Sequence, residues 1–217
     1  MASDYHPGWS KLAHSILYTN DEETEITVAI WAPVEATLGP IKIEINTKYP
    51  FSDNAIVTVS NRADGSTNGH RSNRDLLVKL RVPSWAPNAI INGEKVKCSG
   101  CFHTSYVSSG TSSTFSIDFK PEVTLKKWNN NSISVHRGAL LYSLPIPGKF
   151  SVYGHHYGTE MSDDYYLTPP ENFAWNLALD ADSFQFVNAS GYVDGREPFY
   201  HTNWPNQVSA VGRQVWM

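Results

Sequence analysis

The spacing of hydrophobic positions changes once along the chain, from a helical period to a period of two. Five apolar residues near the N-terminus fall at i, i+3, i+4, i+7 and i+8, which places them on one face of an α-helix. They are Trp9, Leu12, Ala13, Ile16 and Leu17. Beyond them, apolar and polar residues alternate in short runs, as in antiparallel strands that bury one face. The pattern predicts a short helix, residues 8–17, followed by β-structure.

Alternating or β-branched runs predict strands along most of the remaining chain. They cover residues 26–30, 41–45, 56–59, 78–82, 115–119, 133–137, 139–144, 175–179, 184–187 and 214–216. Asn92 and Gly93 favour a two-residue hairpin turn, because both central positions of that turn need positive φ. Residues 61–74 and 148–172 lack alternation and are predicted to be irregular, exposed segments.

A break in the alternation at residues 121–131 divides the β-region into two parts, each close to the roughly 100 residues of a common sandwich domain. The fold class expected is therefore all-β, with two antiparallel β-sandwich domains preceded by a short helix. The first sandwich would span residues 21–120 and the second residues 121–217.

Composition excludes several classes of partner. The chain has 217 residues, a formal net charge of −4 and 18% charged residues, which argues against nucleic-acid binding through clustered Lys and Arg. No apolar run approaches the roughly 20 residues that cross a bilayer, so no membrane partner is expected. The first residues show no secretory signal pattern, and the default expectation is a cytoplasmic protein. Two cysteines are too few for a disulfide scaffold.

The seven Trp and eleven Tyr residues are the unusual feature of the composition. Four tryptophans in strand patterns are predicted to pack in cores: Trp31, Trp85, Trp175 and Trp216. Other aromatic residues lie in loop-like sequence and are either covers for the sandwich ends or candidate carbohydrate contacts. The candidates for carbohydrate contact are Tyr153, Tyr157, Tyr165, Tyr166 and Trp204.

Two polar motifs could in principle carry chemistry. Cys98 and Cys101 form a C-x-x-C motif beside the predicted hairpin, and the preferred interpretation is two ordinary thiols near a turn, with metal or redox chemistry as the alternative. A second cluster of His and acidic side chains is interpreted as a solvated loop, with metal binding or acid–base chemistry as the alternative. It consists of His155, His156, Glu160, Asp163 and Asp164.

Two Asn-x-Ser triplets, Asn130-Asn-Ser132 and Asn188-Ala-Ser190, match the acceptor pattern for N-glycosylation. Without a secretory signal pattern, and because such triplets arise often by chance, they carry no prediction at this point.

A series of landmarks along the chain resembles a known enzyme family. The landmarks are His6-Pro-Gly-Trp9, Ile30-Trp-Ala-Pro33, Leu80-Arg-Val-Pro-Ser-Trp85-Ala, Ile91-Asn-Gly-Glu94 and Val135-His-Arg-Gly-Ala-Leu-Leu-Tyr142. In this order they resemble the C-terminal part of glycoside hydrolase family 127, the β-L-arabinofuranosidase-like enzymes. The resemblance covers nearly the whole chain.

The resemblance implies a large enzyme in which an α/α barrel carries catalysis and two β-sandwich domains follow it. Family members bind zinc through cysteines and a glutamate, and one cysteine is thought to be the nucleophile. The tandem-cysteine motif lies upstream of the segment that His6-Pro-Gly-Trp9 resembles, and no position of this sequence matches it. The resemblance therefore implies no catalytic residue, no metal ligand and no cofactor here, and residues 1–20 would be the remnant of the last barrel helix.

The expected function is a non-catalytic accessory region of such a hydrolase, inactive by itself. Two alternatives stay open. The chain could be a free-standing carbohydrate-binding module that uses the loop aromatics. It could also be one piece of a split hydrolase whose α/α barrel is supplied by another polypeptide. If no such partner exists, the surface of this chain that would face the barrel is expected to cause self-association.

Overall fold

A computed structural model describes residues 5–63, 74–144, 148–155, 163–169, 175–188 and 206–216. Within these ranges one helix, α1 (Tyr5–His14), precedes a chain whose regular structure is otherwise β-strands, with a tight turn at Asn129–Asn131. The predicted all-β class is therefore confirmed. No helix in the same ranges is both long and apolar enough to span a membrane.

The chain divides into two compact units. The first consists of Met1–Glu122 together with Arg137–Leu140, and the second of Val123–His136 together with Leu141–Met217.

The described residues of the first unit form ten strands. They are β1 (Leu17–Thr19), β2 (Glu25–Val28), β3 (Val34–Leu38), β4 (Ile41–Thr47), β5 (Asn54–Asn61), β6 (Leu76–Val82), β7 (Ile90–Ile91), β8 (Glu94–Lys95), β9 (Cys101–Val107) and β10 (Thr111–Asp118). One sheet has the order β1-β2-β6-β9, and the other has the order β3-β4-β5-β10-β7-β8. The predicted hairpin turn is confirmed between β7 and β8, where Asn92 and Gly93 both have positive φ.

The two sheets of the first unit enclose one hydrophobic core. Alternate residues of β4 and β5 point inward, and alternate residues of β6 meet them from the other sheet. Burial follows the period of two because successive strand side chains lie on opposite faces. This unit is therefore a β-sandwich, as the alternation predicts.

One strand pair departs from the antiparallel expectation. Ile26 of β2 aligns with Val78 of β6 in a parallel ladder. The two strands are separated in sequence by β3, β4 and β5 of the other sheet. A connection of that length allows a parallel return, which a short hairpin does not.

An aromatic cluster closes one part of this core. The rings of Trp31 and Trp85 lie 5.1 and 5.6 Å from the ring of Phe119, and Tyr49 stacks on Trp85 at 6.1 Å. The indole Nε1 of Trp31 donates a hydrogen bond of 3.0 Å to the carbonyl oxygen of Arg81. Burial in this cluster raises the pKa of the Tyr49 hydroxyl above its ordinary value. The core assignment of Trp31 is thereby confirmed, and Trp85 is half-buried against the same core. The side chains of Trp175 and Trp216 lie outside what the structure describes.

The helix ends three residues earlier than predicted. α1 ends at His14, and Leu17 begins β1. The Ser15 hydroxyl donates to the Lys11 carbonyl at 2.8 Å, while the carbonyl of Ile16 accepts a hydrogen bond from the Ala29 amide at 3.0 Å. The helical spacing of Ile16 and Leu17 is overridden because their backbone joins the sheet instead.

The remaining strands lie wholly or mostly in the second unit and form small separate sheets; Arg137, at the end of β12, and Leu140, at the start of β13, belong to the first unit. The strands are β11 (Val123–Lys127), β12 (Ile133–Arg137), β13 (Leu140–Tyr142), β14 (Lys149–His155), β15 (Asp163–Thr168), β16 (Trp175–Leu179), β17 (Gln185–Asn188), β18 (Asn206–Ser209) and β19 (Gly212–Trp216). The order β11-β12-β13 forms one sheet, and β14-β15, β16-β19 and β17-β18 form two-stranded sheets. The interpretation of this unit as a second sandwich stays a prediction.

The prediction that residues 148–172 are wholly irregular is wrong, because β14 and β15 lie inside that segment. These two strands pair as a two-stranded ribbon, and hydrophobic residues stand on both of its faces. A search for one-sided alternation therefore misses it.

Candidate carbohydrate-contact surface

Three of the predicted carbohydrate contacts lie on the antiparallel ribbon formed by β14 and β15. Ser151 pairs with Tyr166 and Val152 with Tyr165, and the register then shifts so that Gly154 pairs with Asp164. Tyr153 is therefore the extra residue of a β-bulge. Bulges of this kind locally increase twist and re-aim a side chain.

The pairing separates the aromatic side chains onto two faces. Because Val152 and Tyr165 are directly opposed, they share a face with Phe150, whose ring lies 6.2 Å from that of Tyr165. Tyr153 and Tyr166 lie together on the other face, with ring centroids 4.7 Å apart and ring planes at 66°.

The Tyr153–Tyr166 pair is open to solvent. The two side chains are 64% and 59% exposed, so the edge-to-face contact leaves much of each ring uncovered. A tyrosine ring combines an apolar face with a hydroxyl that bonds to water or to a polar ligand. This pair therefore offers the two kinds of contact that a sugar ring needs, an apolar surface for its C–H groups and a polar group for its hydroxyls.

The other candidates do not join this pair. Tyr165 stands on the opposite face with Phe150, while Tyr157 and Trp204 lie outside the described residues. Sequence reasoning did not single out Phe150. The alternation of Phe150 and Val152 with Ser151 is a short strand signal, but the aromatic Tyr153 that follows breaks the one-sided pattern.

The Cys98–Cys101 motif is a disulfide, so the interpretation of two ordinary thiols is wrong. Gly100, at φ +71°, allows the tight turn between the two cysteines, and its amide donates to the Val82 carbonyl at 3.0 Å. Cys98 is exposed, and Cys101 packs against the core of the first unit. A disulfide sulfur is neither a zinc ligand nor a nucleophile, because both roles require a thiolate.

The His and acidic cluster is only partly visible. His155 and Asp163 are opposed in the β14–β15 register, whereas His156 and Glu160 lie outside the described residues. Across the part of the chain that the structure describes, no group of three or more His, Cys, Asp or Glu residues is arranged to hold a metal ion.

No protein-family model and no curated protein sequence matches the chain. Among solved structures, it is similar to a family 127 β-L-arabinofuranosidase from Geobacillus stearothermophilus T6. The TM-score is 0.47 and the identity 16%, over 94% of this chain and 32% of that chain.

Two further solved chains show the same relation. A glycoside hydrolase matches with a TM-score of 0.46 and 13% identity, over 91% of this chain and 33% of its own. A family 127 β-arabinofuranosidase matches with a TM-score of 0.41 and 13% identity, over 88% of this chain and 32% of its own. The chain thus spans about a third of the length of each structure and is similar to one part of these enzymes.

Proposed function

We propose that this chain is a non-catalytic β-sandwich region of a β-L-arabinofuranosidase-like glycoside hydrolase and that it does not hydrolyse glycosides by itself. The ordered landmarks, from His6-Pro-Gly-Trp9 to the Arg137-Gly-Ala-Leu-Leu-Tyr142 stretch, support the family.

The state of the cysteines supports the absence of catalysis. The chemistry implied by the family resemblance needs cysteine thiolates, both to bind zinc and to attack the sugar. The 217-residue sequence has two cysteines, and they are bonded to each other. Neither sulfur is then available for either task.

A hydrolysis assay tests this proposal. The purified chain is incubated with a chromogenic β-L-arabinofuranoside, with and without zinc, and with and without a reductant that opens the disulfide. No release above the buffer blank is expected in any condition. Release that rises in proportion to protein concentration would overturn the proposal, and its loss in the Cys98→Ser, Cys101→Ser double variant would assign the activity to these cysteines.

The Tyr153–Tyr166 pair favours a second candidate function, binding of carbohydrate. The observation behind it is specific: the two rings share one face, lie 4.7 Å apart and are both more than half exposed. Two adjacent exposed aromatic rings form a contiguous apolar patch, the kind of surface that binding sites use.

Titration calorimetry against arabinofuranosides and plant-wall oligosaccharides tests the second candidate. Tyr153→Ala and Tyr166→Ala should each abolish the binding heat, whereas Tyr165→Ala, on the opposite face, should retain it. No heat at millimolar ligand, or equal loss in all three variants, argues against a site on this face.

A partner polypeptide is the third expectation, and α1 supports it. Trp9 and Leu12 are both exposed on this helix. In the proposal, the same side chains face either an α/α barrel supplied by another polypeptide or a second copy of the chain. Light scattering of the purified chain tests self-association; a monodisperse monomer that becomes no larger with concentration contradicts it.

A further inference from the structure

The connection between β11 and β12 is a tight turn that presents an asparagine at its tip. The Ser132 amide donates a hydrogen bond of 3.2 Å to the Asn129 carbonyl, and the two residues between them, Asn130 and Asn131, have φ of 58° and 57°. Two consecutive positive φ values are the signature of a type I′ hairpin turn, and asparagine tolerates them better than most residues. The turn therefore has a defined conformation, with Asn130 at its first central position.

The acceptor triplet in this turn is open to solvent. Asn130, Asn131 and Ser132 are all exposed. The Ser132 hydroxyl donates to the Asn129 carbonyl at 2.8 Å. The triplet is therefore sterically accessible to an enzyme that transfers a glycan to Asn-x-Ser segments.

An aromatic ring precedes the triplet. Trp128, two residues before Asn130, is 60% exposed, and its indole Nε1 donates to the Ser134 hydroxyl oxygen at 2.8 Å. This hydrogen bond fixes the ring at the base of the turn. A fixed, exposed indole gives the first sugar of an attached glycan an apolar face to pack against.

A separate observation indicates the compartment in which such a modification occurs. Cys98 and Cys101 form a disulfide. Disulfides form and persist in oxidising surroundings such as the lumen of the endoplasmic reticulum, and are rare in the cytosol. N-linked glycans are attached in the same lumen, so both features are consistent with one route of synthesis.

We propose that Asn130 is an acceptor for an N-linked glycan. The donor is a lipid-linked oligosaccharide diphosphate. The bond between sugar C1 and the diphosphate oxygen breaks, a bond between C1 and the Asn130 Nδ2 forms, the amide nitrogen loses one proton, and the lipid diphosphate leaves with the bonding electron pair. This site does not depend on the function proposed above.

The test is translation of the chain behind a cleavable secretory leader in the presence of microsomes, which reports glycosylation without requiring secretion. Peptide mapping after enzymatic glycan release in heavy-oxygen water then marks each modified asparagine separately. This separates Asn130 from the second triplet at Asn188. Asn130 is expected to carry the label.

Matched variants sharpen the result. Asn130→Gln and Ser132→Ala should both remove the label from this peptide, while Asn129→Gln and Ser132→Thr, which keep the acceptor pattern, should retain it. Trp128→Ala should lower the occupied fraction without abolishing it. A wild-type chain that is translocated, shown by leader cleavage, yet has an unmodified Asn130 would overturn the proposal.

Discussion

The two units differ in how they treat hydrophobic side chains. In the first unit, twenty buried hydrophobic residues form one contiguous core between two sheets. In the second, each hydrophobic side chain whose burial the structure describes is at least partly exposed, and large ones such as Phe150, Tyr153 and Leu167 are more than half exposed. The first unit is therefore held together by its own core, whereas the described strands of the second are joined by hydrogen-bonded ladders.

The sequence explains this difference. In β4, the run Ile41-Lys-Ile-Glu-Ile45 assigns one face to the core and the other to water. In β15, the run Asp163-Asp-Tyr-Tyr-Leu-Thr168 assigns apolar residues to both faces. A two-stranded ribbon is marginally stable by itself in water. We infer that the first unit serves as the scaffold and that the second presents surfaces for contact.

Truncation of a core ring should produce the largest effect. Phe119 is 1% exposed and contacts the rings of Trp31, Tyr49 and Trp85. Phe119→Ala should lower the free energy of unfolding by about 3–5 kcal/mol, because a buried ring leaves a cavity. Urea unfolding followed by tryptophan fluorescence and circular dichroism measures it.

The matched control lies in the second unit. Phe150 is 67% exposed, so Phe150→Ala should change the free energy of unfolding by no more than about 0.5 kcal/mol. Equal losses in the two variants would show that the second unit also depends on a packed core.

Loss of a buried cation should come next. Arg137 is buried and donates from Nη1 and Nη2 to the two carboxylate oxygens of Asp53, at 2.9 and 2.5 Å. Arg137→Leu leaves the Asp53 carboxylate unpaired and should lower the free energy of unfolding by about 3 kcal/mol. This is the lower end of the range for buried pairs, because the Asp53 side chain is 37% exposed. Lys42→Met, which removes the exposed Lys42–Glu35 pair, should cost less than about 1 kcal/mol by the same unfolding assay. A similar cost for both variants would mean that the Arg137 pair is effectively solvated.

Removal of the disulfide should have an intermediate effect on the first unit. Its loop spans a sequence separation of three, and the chain-entropy relation for so short a loop gives about 2 kcal/mol. The Cys98→Ser, Cys101→Ser double variant should unfold at correspondingly lower urea, and reductant should bring the wild type to the same midpoint. Ser99→Ala serves as the control, and a reductant effect that persists in the double variant would point to a cause other than this bond.

The smallest effect concerns alkaline pH. Burial raises the pKa of Tyr49 in the folded chain, so the unfolded chain loses its Tyr49 proton first as the pH rises. The contribution of the protonated Tyr49 hydroxyl to the free energy of unfolding is therefore fully present below about pH 10, the pKa of tyrosine in the unfolded chain. It is lost as the pH rises from there through the higher pKa of Tyr49 in the folded chain. Tyr49→Phe should make the alkaline decline shallower while changing the free energy of unfolding little at pH 7. An unchanged slope would indicate that the hydroxyl reaches solvent.

The sequence predicted the first unit well because its strands bury one face. Burial of Ile41, Ile43 and Ile45 follows directly from their alternation, and the Asn92-Gly93 turn follows from its need for positive φ. The parallel pairing of β2 with β6 could not be predicted, because it depends on where the chain returns after leaving the sheet.

The candidate site was predicted less well. The sequence predicts Tyr153 and Tyr166 as contact residues but does not predict their strands, because a ribbon exposed on both faces lacks a one-sided pattern. The β-bulge at Tyr153 also shifts the register between β14 and β15, and the hydrophobic period of a single strand does not predict such a shift. The Cys98–Cys101 bond was missed because the pairing depends on the turn at Gly100.

Hydrogen exchange of the intact chain, read by mass spectrometry, tests most directly whether one unit is a self-supporting scaffold and the other is not. Backbone amides in β4, β5 and β10 should exchange slowly, because they open only with the core of the first unit. Amides in β14 and β15 should exchange much faster, through local opening of the ribbon. Equal protection of these two sets of strands would contradict the division.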